Sequence, residues 1–198
     1  MRIIAGKFRG RKLLDSSHLK ALRPTTDANR ESLFNILSAA KFIREIDFEI
    51  TNCQIIDVCC GSGAVAFEAL SRGAKSAILI DNSRVHLELA KKNSELLKVE
   101  NQCSFLFSDV KNIAPSSAAS DASRSLIFID PPYDADYQNM LNNLVKKNWI
   151  KEGDLLVVEA TKNSKINFDL MAFKLLEVKN YGITSFSFLI KNLVDKID

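Results

Sequence analysis

The chain has 198 residues, 46% of them hydrophobic and 26% charged, and a formal net charge of +3. That composition fits one soluble globular domain with at most a small appendage; no apolar run approaches the ~18 residues of a membrane span, and the first residues lack the apolar stretch of a signal peptide. Four cysteines, two adjacent and none spaced C-x-x-C, form neither a zinc pattern nor a disulfide framework, so a reduced, cytoplasmic, monomeric protein is expected.

The basic charge is concentrated at the start. Residues 1–30 hold eight Lys or Arg against two Asp, a balance of +6, and the remainder stands at −3. A basic segment on a mildly acidic body points to phosphate contact through Arg2, Lys7, Arg9, Arg11, Lys12 and Arg23, with Phe8 as a ring that could stack on a base. The alternative is a solvated tail, but apolar alternation around Gly6 and Gly10 reads as a short hairpin. The predicted organisation is a hairpin arm over 1–24, a core over 25–191 and a tail over 192–198. Thr26 or Asp27 can cap a helix running to about Lys41, with Leu33, Phe34, Ile36 and Leu37 on its core face.

Residues 54–58 read as a buried strand that runs into a glycine loop and then a helix over 64–71. Gly61, Gly63 and Ala66 fit G-x-G-x-x-G/A, the pattern that brings a backbone close to an adenosine-containing cofactor. Asp81 follows the next apolar run, 77–80, and lies 20 residues after Gly61, where an acid usually holds ribose hydroxyls. NAD and S-adenosylmethionine fit equally to this point, and Asp57 separates them. It stands just before the loop, where a carboxylate would repel a pyrophosphate but attract an ammonium and a sulfonium. Its other role would be to cap the loop's own N–H groups, and the two can coexist.

A helix over 84–97 leads to a third strand, 103–108, and to Asp109, placed to accept from an adenine amine. Residues 115–125 read as a polar surface loop before the strand 126–129. That strand ends in Asp130-Pro131-Pro132-Tyr133. The prolines forbid a continuing ladder and leave a stiff corner. Asp130 and the Pro131 carbonyl can accept from a planar amine, and Tyr133 can stack on the ring that carries it; the plain alternative is a tight turn. Asp57, Asp81, Asp109 and Asp130 thus present a carboxylate at successive strand ends, the edge where open α/β sheets bind ligands. A helix over 135–148, with Trp149 and Ile150 packing beneath it, precedes a strand over 154–160. Two strands, 173–180 and 183–190, flank Tyr181-Gly182 as a hairpin. The fold class is therefore α/β, a mostly parallel sheet with an antiparallel end. His18 and His86 are isolated and read as surface residues.

Residues 57–63 resemble motif I of class I S-adenosylmethionine-dependent methyltransferases, and Asp130–Tyr133 their amine-methylating motif IV. Two further segments, residues 2–13 and the pair 23–27 and 30–35, resemble the RsmD family over most of the chain. The resemblance implies a Rossmann-like, seven-stranded methyltransferase fold and transfer of a methyl group to the exocyclic N2 of a guanine in small-subunit (16S) ribosomal RNA. It implies S-adenosylmethionine as cofactor, held by Asp57, Cys59, Gly61 and Gly63 on one side and by Asp81, Asn82, Asp109 and Val110 on the other. It also implies catalysis at Asp130, Pro131, Pro132 and Tyr133, with no metal. The partner would be the RNA or an assembling small ribosomal subunit. Cys59-Cys60 departs from the family pattern, which often has an aromatic or small residue there. The residues leave open a DNA adenine methyltransferase, disfavoured by the absence of a target-reading domain, and an NAD-dependent oxidoreductase, disfavoured by Asp57.

Overall fold

Apolar β-branched runs alternate with amphipathic helical stretches, and a strand buried on both faces needs helices to cover it. The computed structural model describes residues 1–15, 26–116, 124–132, 135–164, 166–168 and 173–191. Helices α1 (Asp27–Ala39) and α2 (Lys41–Glu45) precede β1 (Gln54–Val58), α3 (Ala64–Ser71), β2 (Ser76–Asp81), α4 (Arg84–Leu97) and β3 (Cys103–Phe107). Then come β4 (Ser125–Ile129), α5 (Tyr137–Lys146), β5 (Leu155–Thr161), β6 (Phe173–Tyr181) and β7 (Thr184–Lys191). They form one seven-stranded sheet in the order β3-β2-β1-β4-β5-β7-β6. The pairs joining β3 through β5 are parallel, whereas β7 pairs antiparallel with both β5 and β6. The expected fold class is thus present. The predicted first helix breaks at Ala40, which turns extended (ψ 143°) and starts α2. Thr26 is its cap, accepting from the Asn29 N–H at 3.1 Å.

Alternation along each strand divides the core in two. Ile55, Leu126, Phe128, Leu155 and Val157 face α1, α3 and α4, while Ile56, Val58, Ile127, Ile129, Leu156 and Val158 face α5. Each such buried side chain contributes about 1.5–3 kcal/mol, so register is strongly specified. The order also reverses between β1 and β4, the parallel neighbours from which the chain departs in opposite directions. Ligands in open α/β sheets bind in the crevice at such a switch point.

The first fifteen residues pack on the outside of α1 and α3. Only the Arg2–Lys12 bridge and a few backbone bonds make them hairpin-like, including Ile3 N–H to Arg11 O at 3.0 Å. Glu68 of α3, fully buried, holds the segment: its carboxylate accepts from the Ile4 and Ala5 N–H groups at 2.7 and 3.0 Å and from Arg72 Nε at 2.8 Å. The buried Arg30 donates to Arg2 O at 2.6 Å and to Asp27 at 2.9 Å, and its Nε lies 3.9 Å from Glu68. At Gly6 the chain passes so close to Ser71 that a methyl group would overlap its backbone oxygen at 1.9 Å.

Ile3, Phe8 and Leu13 belong to the same apolar cluster as α1 and α3. This corrects the role expected of Phe8. Its ring is only 6% exposed, and Lys7 and Arg11 lie over it at 5.4 and 5.5 Å, so it anchors the segment instead of offering a face to a base. The side chains of Arg2, Lys7, Arg9, Arg11 and Lys12 are exposed around that anchor.

Candidate active site

Where β1 ends, the chain turns sharply. Cys59, Gly61 and Gly63 all take left-handed backbone conformations, with φ of 63°, 54° and 76°. A methyl group on Gly63 would stand 2.6 Å from Leu79 and Phe67, so that position requires glycine, and Gly63 shapes the loop from behind instead of lining the cleft. At Gly61 an added methyl would meet nothing within 4 Å, and the backbone there faces open space.

The strand-end acids also build the loop. Gly63 caps α3 but has no side chain to do so, and Asp57 supplies the missing acceptor to the Ala66 N–H at 3.2 Å. Asp81 Oδ2 accepts from the Gly61 N–H at 2.9 Å. Its Oδ1 accepts from the Ser83 N–H at 2.8 Å and lies 3.1 Å from His86 Nδ1. A carboxylate has about four acceptor sites, so Asp81 retains capacity for a ligand hydroxyl. His86 is therefore not the isolated surface residue expected from sequence; it is half-buried against Asp81 and lines the cleft. Asp109 accepts from the Lys111 N–H at 2.9 Å and caps the short turn Val110–Asn112.

A cleft of about 1130 Å³ opens beside the loop, lined by Asp57, Cys59, Gly61, Asp81, Asn82, Asp130, Pro131 and Pro132. It continues past Thr26 and Glu159 to the β6–β7 turn, residues 181–184. A side cavity of about 200 Å³ runs over the ends of β2 and β3 between Asn82, Asp109, Val110, Pro132 and Met140. The Asp130 N–H donates to Val58 O at 3.3 Å, which ties the Pro-Pro corner to the end of β1. Tyr133, Arg23 and His18 lie outside the described residues.

The acids leave the cleft strongly negative. Burial pushes the Asp57 carboxyl well above its ordinary 3.8, and Asp130 and Asp81 add to this while the Ala66 bond opposes it. Burial and the surrounding acids, Asp81 first, push the Cys59 thiol up to about 12, so it stays protonated and is no nucleophile. Asp57 ionises at a cost to the fold. Its contribution to stability is full below the ordinary carboxylate pKa and is lost as pH rises through the raised folded value. Asp57→Asn, whose amide oxygen can still accept from Ala66, should therefore be more stable than the parent near neutral pH. Thermal unfolding across a pH series should show that advantage closing as the medium becomes acid. A variant no more stable at neutral pH would contradict this electrostatic reading.

A cleft lined by carboxylates suits a cation. S-adenosylmethionine carries an ammonium and a sulfonium and no phosphate, and a dinucleotide would bring its pyrophosphate against Asp57 and Asp81. The open backbone at Gly61 and the side cavity at Asp109 suit an adenosine end.

Residues 1–190 match the family described as Conserved hypothetical protein 95. The chain is 31% identical to Ribosomal RNA small subunit methyltransferase D of Haemophilus influenzae, over 94% of this chain and 91% of that protein. To the protein of the same name in Escherichia coli it is 36% identical, over 81% and 74% of the two chains. The solved structure titled "Putative methyltransferase yhhF from Escherichia coli" superposes with a TM-score of 0.74 at 27% identity, covering 97% of this chain and 98% of that one.

Proposed function

The chain belongs to the RsmD family of methyltransferases, and from that premise we propose that it methylates the exocyclic N2 of a guanine in small-subunit ribosomal RNA, with S-adenosylmethionine as donor. The observation that carries the proposal is the convergence of Asp57, Asp81 and Asp130 on one cleft at the switch point between β1 and β4. Asp57 and Asp130 would face the cationic end of the donor and Asp81 the ribose, with Asn82, Asp109 and Val110 around the adenine. Bound there, S-adenosylmethionine supplies an electrophilic methyl group.

The remaining chemistry is positioning. A guanine amine is a weak nucleophile because its lone pair is delocalised into the ring. Asp130 and the Pro131 carbonyl are acceptors for its N–H bonds, and holding both turns the nitrogen lone pair into the cleft. Holding two reactants in register can remove roughly 7–11 kcal/mol of barrier. Positive charge that develops on the nitrogen is stabilised by the Asp130 carboxylate, which needs no great basicity because the alkylated cation gives up its proton readily. A base stacked in a helix cannot reach this corner, so the target must be unpaired or flipped, with Tyr133 as the ring it would meet. The test is transfer of labelled methyl to small-subunit RNA, naked or in particles, beside duplex DNA. Label in the RNA is expected; label confined to DNA would overturn the proposal.

The basic side chains around Phe8 are proposed to grip RNA phosphates. Deleting the segment would remove Ile3, Phe8 and Leu13 from the core, so side-chain replacement is the cleaner probe. Changing Lys7, Arg9, Arg11 and Lys12 together to Ala should weaken RNA binding. It should flatten the slope of log affinity against log salt by roughly two to three units, at about 0.7–0.9 per phosphate contact. The unfolding temperature and donor affinity should not change. Parallel salt slopes for variant and parent would place the RNA elsewhere.

A further inference from the structure

The cleft is longer than the group of acids at the glycine loop, and its far part holds another buried carboxylate. Glu159 lies near the end of β5, 5% exposed, and lines the same cleft as Asp130. The parallel ladder between β4 and β5 ends at the pair Ile129 and Val158, so Asp130 and Glu159 are the next residues on neighbouring strands. Strands in a sheet stand about 4.7–4.9 Å apart. Side chains alternate, and Phe128 and Val157 both lie in the cluster on the α1 and α3 side. Asp130 and Glu159 share that parity and face that side together. The backbone of Glu159 is fixed from both directions: it pairs with Phe186 of β7, and its carbonyl accepts from the Tyr137 hydroxyl at 3.4 Å.

We infer that Glu159 is the specificity residue of the acceptor pocket, reading the guanine edge beside the amine that Asp130 holds. This rests on the guanine-N2 reading above. A carboxylate accepts and never donates. In guanine the ring atom next to the exocyclic amine is N1–H, a donor, so that edge offers N–H groups to both carboxylates. In adenine and cytosine the ring nitrogen next to the amine carries a lone pair, which would point at Glu159. A site built to pair a donor discriminates strongly against an analogue that lacks it, because its own buried acceptor is left without a partner. Glu159 would thus select guanine among the amine-bearing bases, a choice the Pro-Pro corner alone does not make.

The test pairs substrate and protein changes. Small-subunit RNA is prepared with guanine or 2-aminopurine at the methylated position; 2-aminopurine keeps the amine but has a bare N1. Single-turnover methyl transfer is measured for the full chain and for Glu159→Ala and Glu159→Gln, with donor affinity and unfolding temperature recorded for each. The parent should prefer guanine by tenfold or more. Glu159→Ala should lose most of that preference, chiefly through slower reaction with guanine. Glu159→Gln, which can donate to a bare N1, should shift the preference towards 2-aminopurine. Equal losses on both substrates, or no change on either, would overturn the assignment and leave the guanine-N2 reading standing. A parent protein that methylates no guanine would overturn both.

Discussion

Replacing Asp130 by Ala should lower single-turnover methyl transfer by roughly 10²-fold or more, the scale for losing one oriented electrostatic partner. The substitution leaves the cradle of the glycine loop intact. Asp57 still caps α3 through Ala66, and Asp81 still holds the Gly61 N–H. Donor affinity should therefore stay near that of the parent, which separates a fault in chemistry from a fault in binding. Asp130→Asn should be milder, because an amide oxygen can still accept from the target amine. Rapid-quench measurement with saturating donor is the appropriate readout. Parent-like transfer by the Ala variant would reduce Asp130 to a turn residue.

Glu68→Ala should be the most destabilising of these changes, by about 3–5 kcal/mol, the usual consequence of removing one partner from a buried ionic network. Glu68 accepts from two backbone N–H groups of the first segment and from Arg72, and Arg30 lies beside it, with Glu68 and Arg30 both at 0% exposure. Truncation would leave those donors and a buried guanidinium facing a void. Glu68→Gln keeps one acceptor oxygen and should lose less. Urea unfolding measures both; a loss under about 1 kcal/mol for the Ala variant, as for an exposed ion pair, would contradict the buried-clamp interpretation. Because Glu68 holds the segment that carries Lys7 to Lys12, RNA affinity should fall with it even where the core remains folded.

The sheet was readable because each of its strands is a short apolar run with an abrupt end. The acids at those ends were readable because they recur in step with the strands. Asp57 illustrates both the strength and the limit of such reading: its place before the loop was plain, and its bond to Ala66 shows that it caps the helix as well as lining the cleft. The position of the first segment was hidden. Phe8 among basic residues looks like a stacking ring, and only its contact with elements more than 60 residues away makes it core. Glu68 inside the apolar run of α3 gave no hint of partners, since none lies nearby in sequence except Arg72. His86 had no partner in view because it meets Asp81 across a turn. Glu159 did leave a signal: a lone acid at the end of a buried strand, in step with the four already counted, that was not read as such.

The most direct test of the central claim is the identity of the methylated nucleoside. Small-subunit ribosomal RNA, naked and in particles, would be treated with the purified protein and labelled S-adenosylmethionine, digested completely and separated against standards. N2-methylguanosine is the expected product, carrying the label in parent samples and little of it with Asp130→Ala. Label in N6-methyladenosine or a methylcytidine, or RNA left unlabelled, would contradict it.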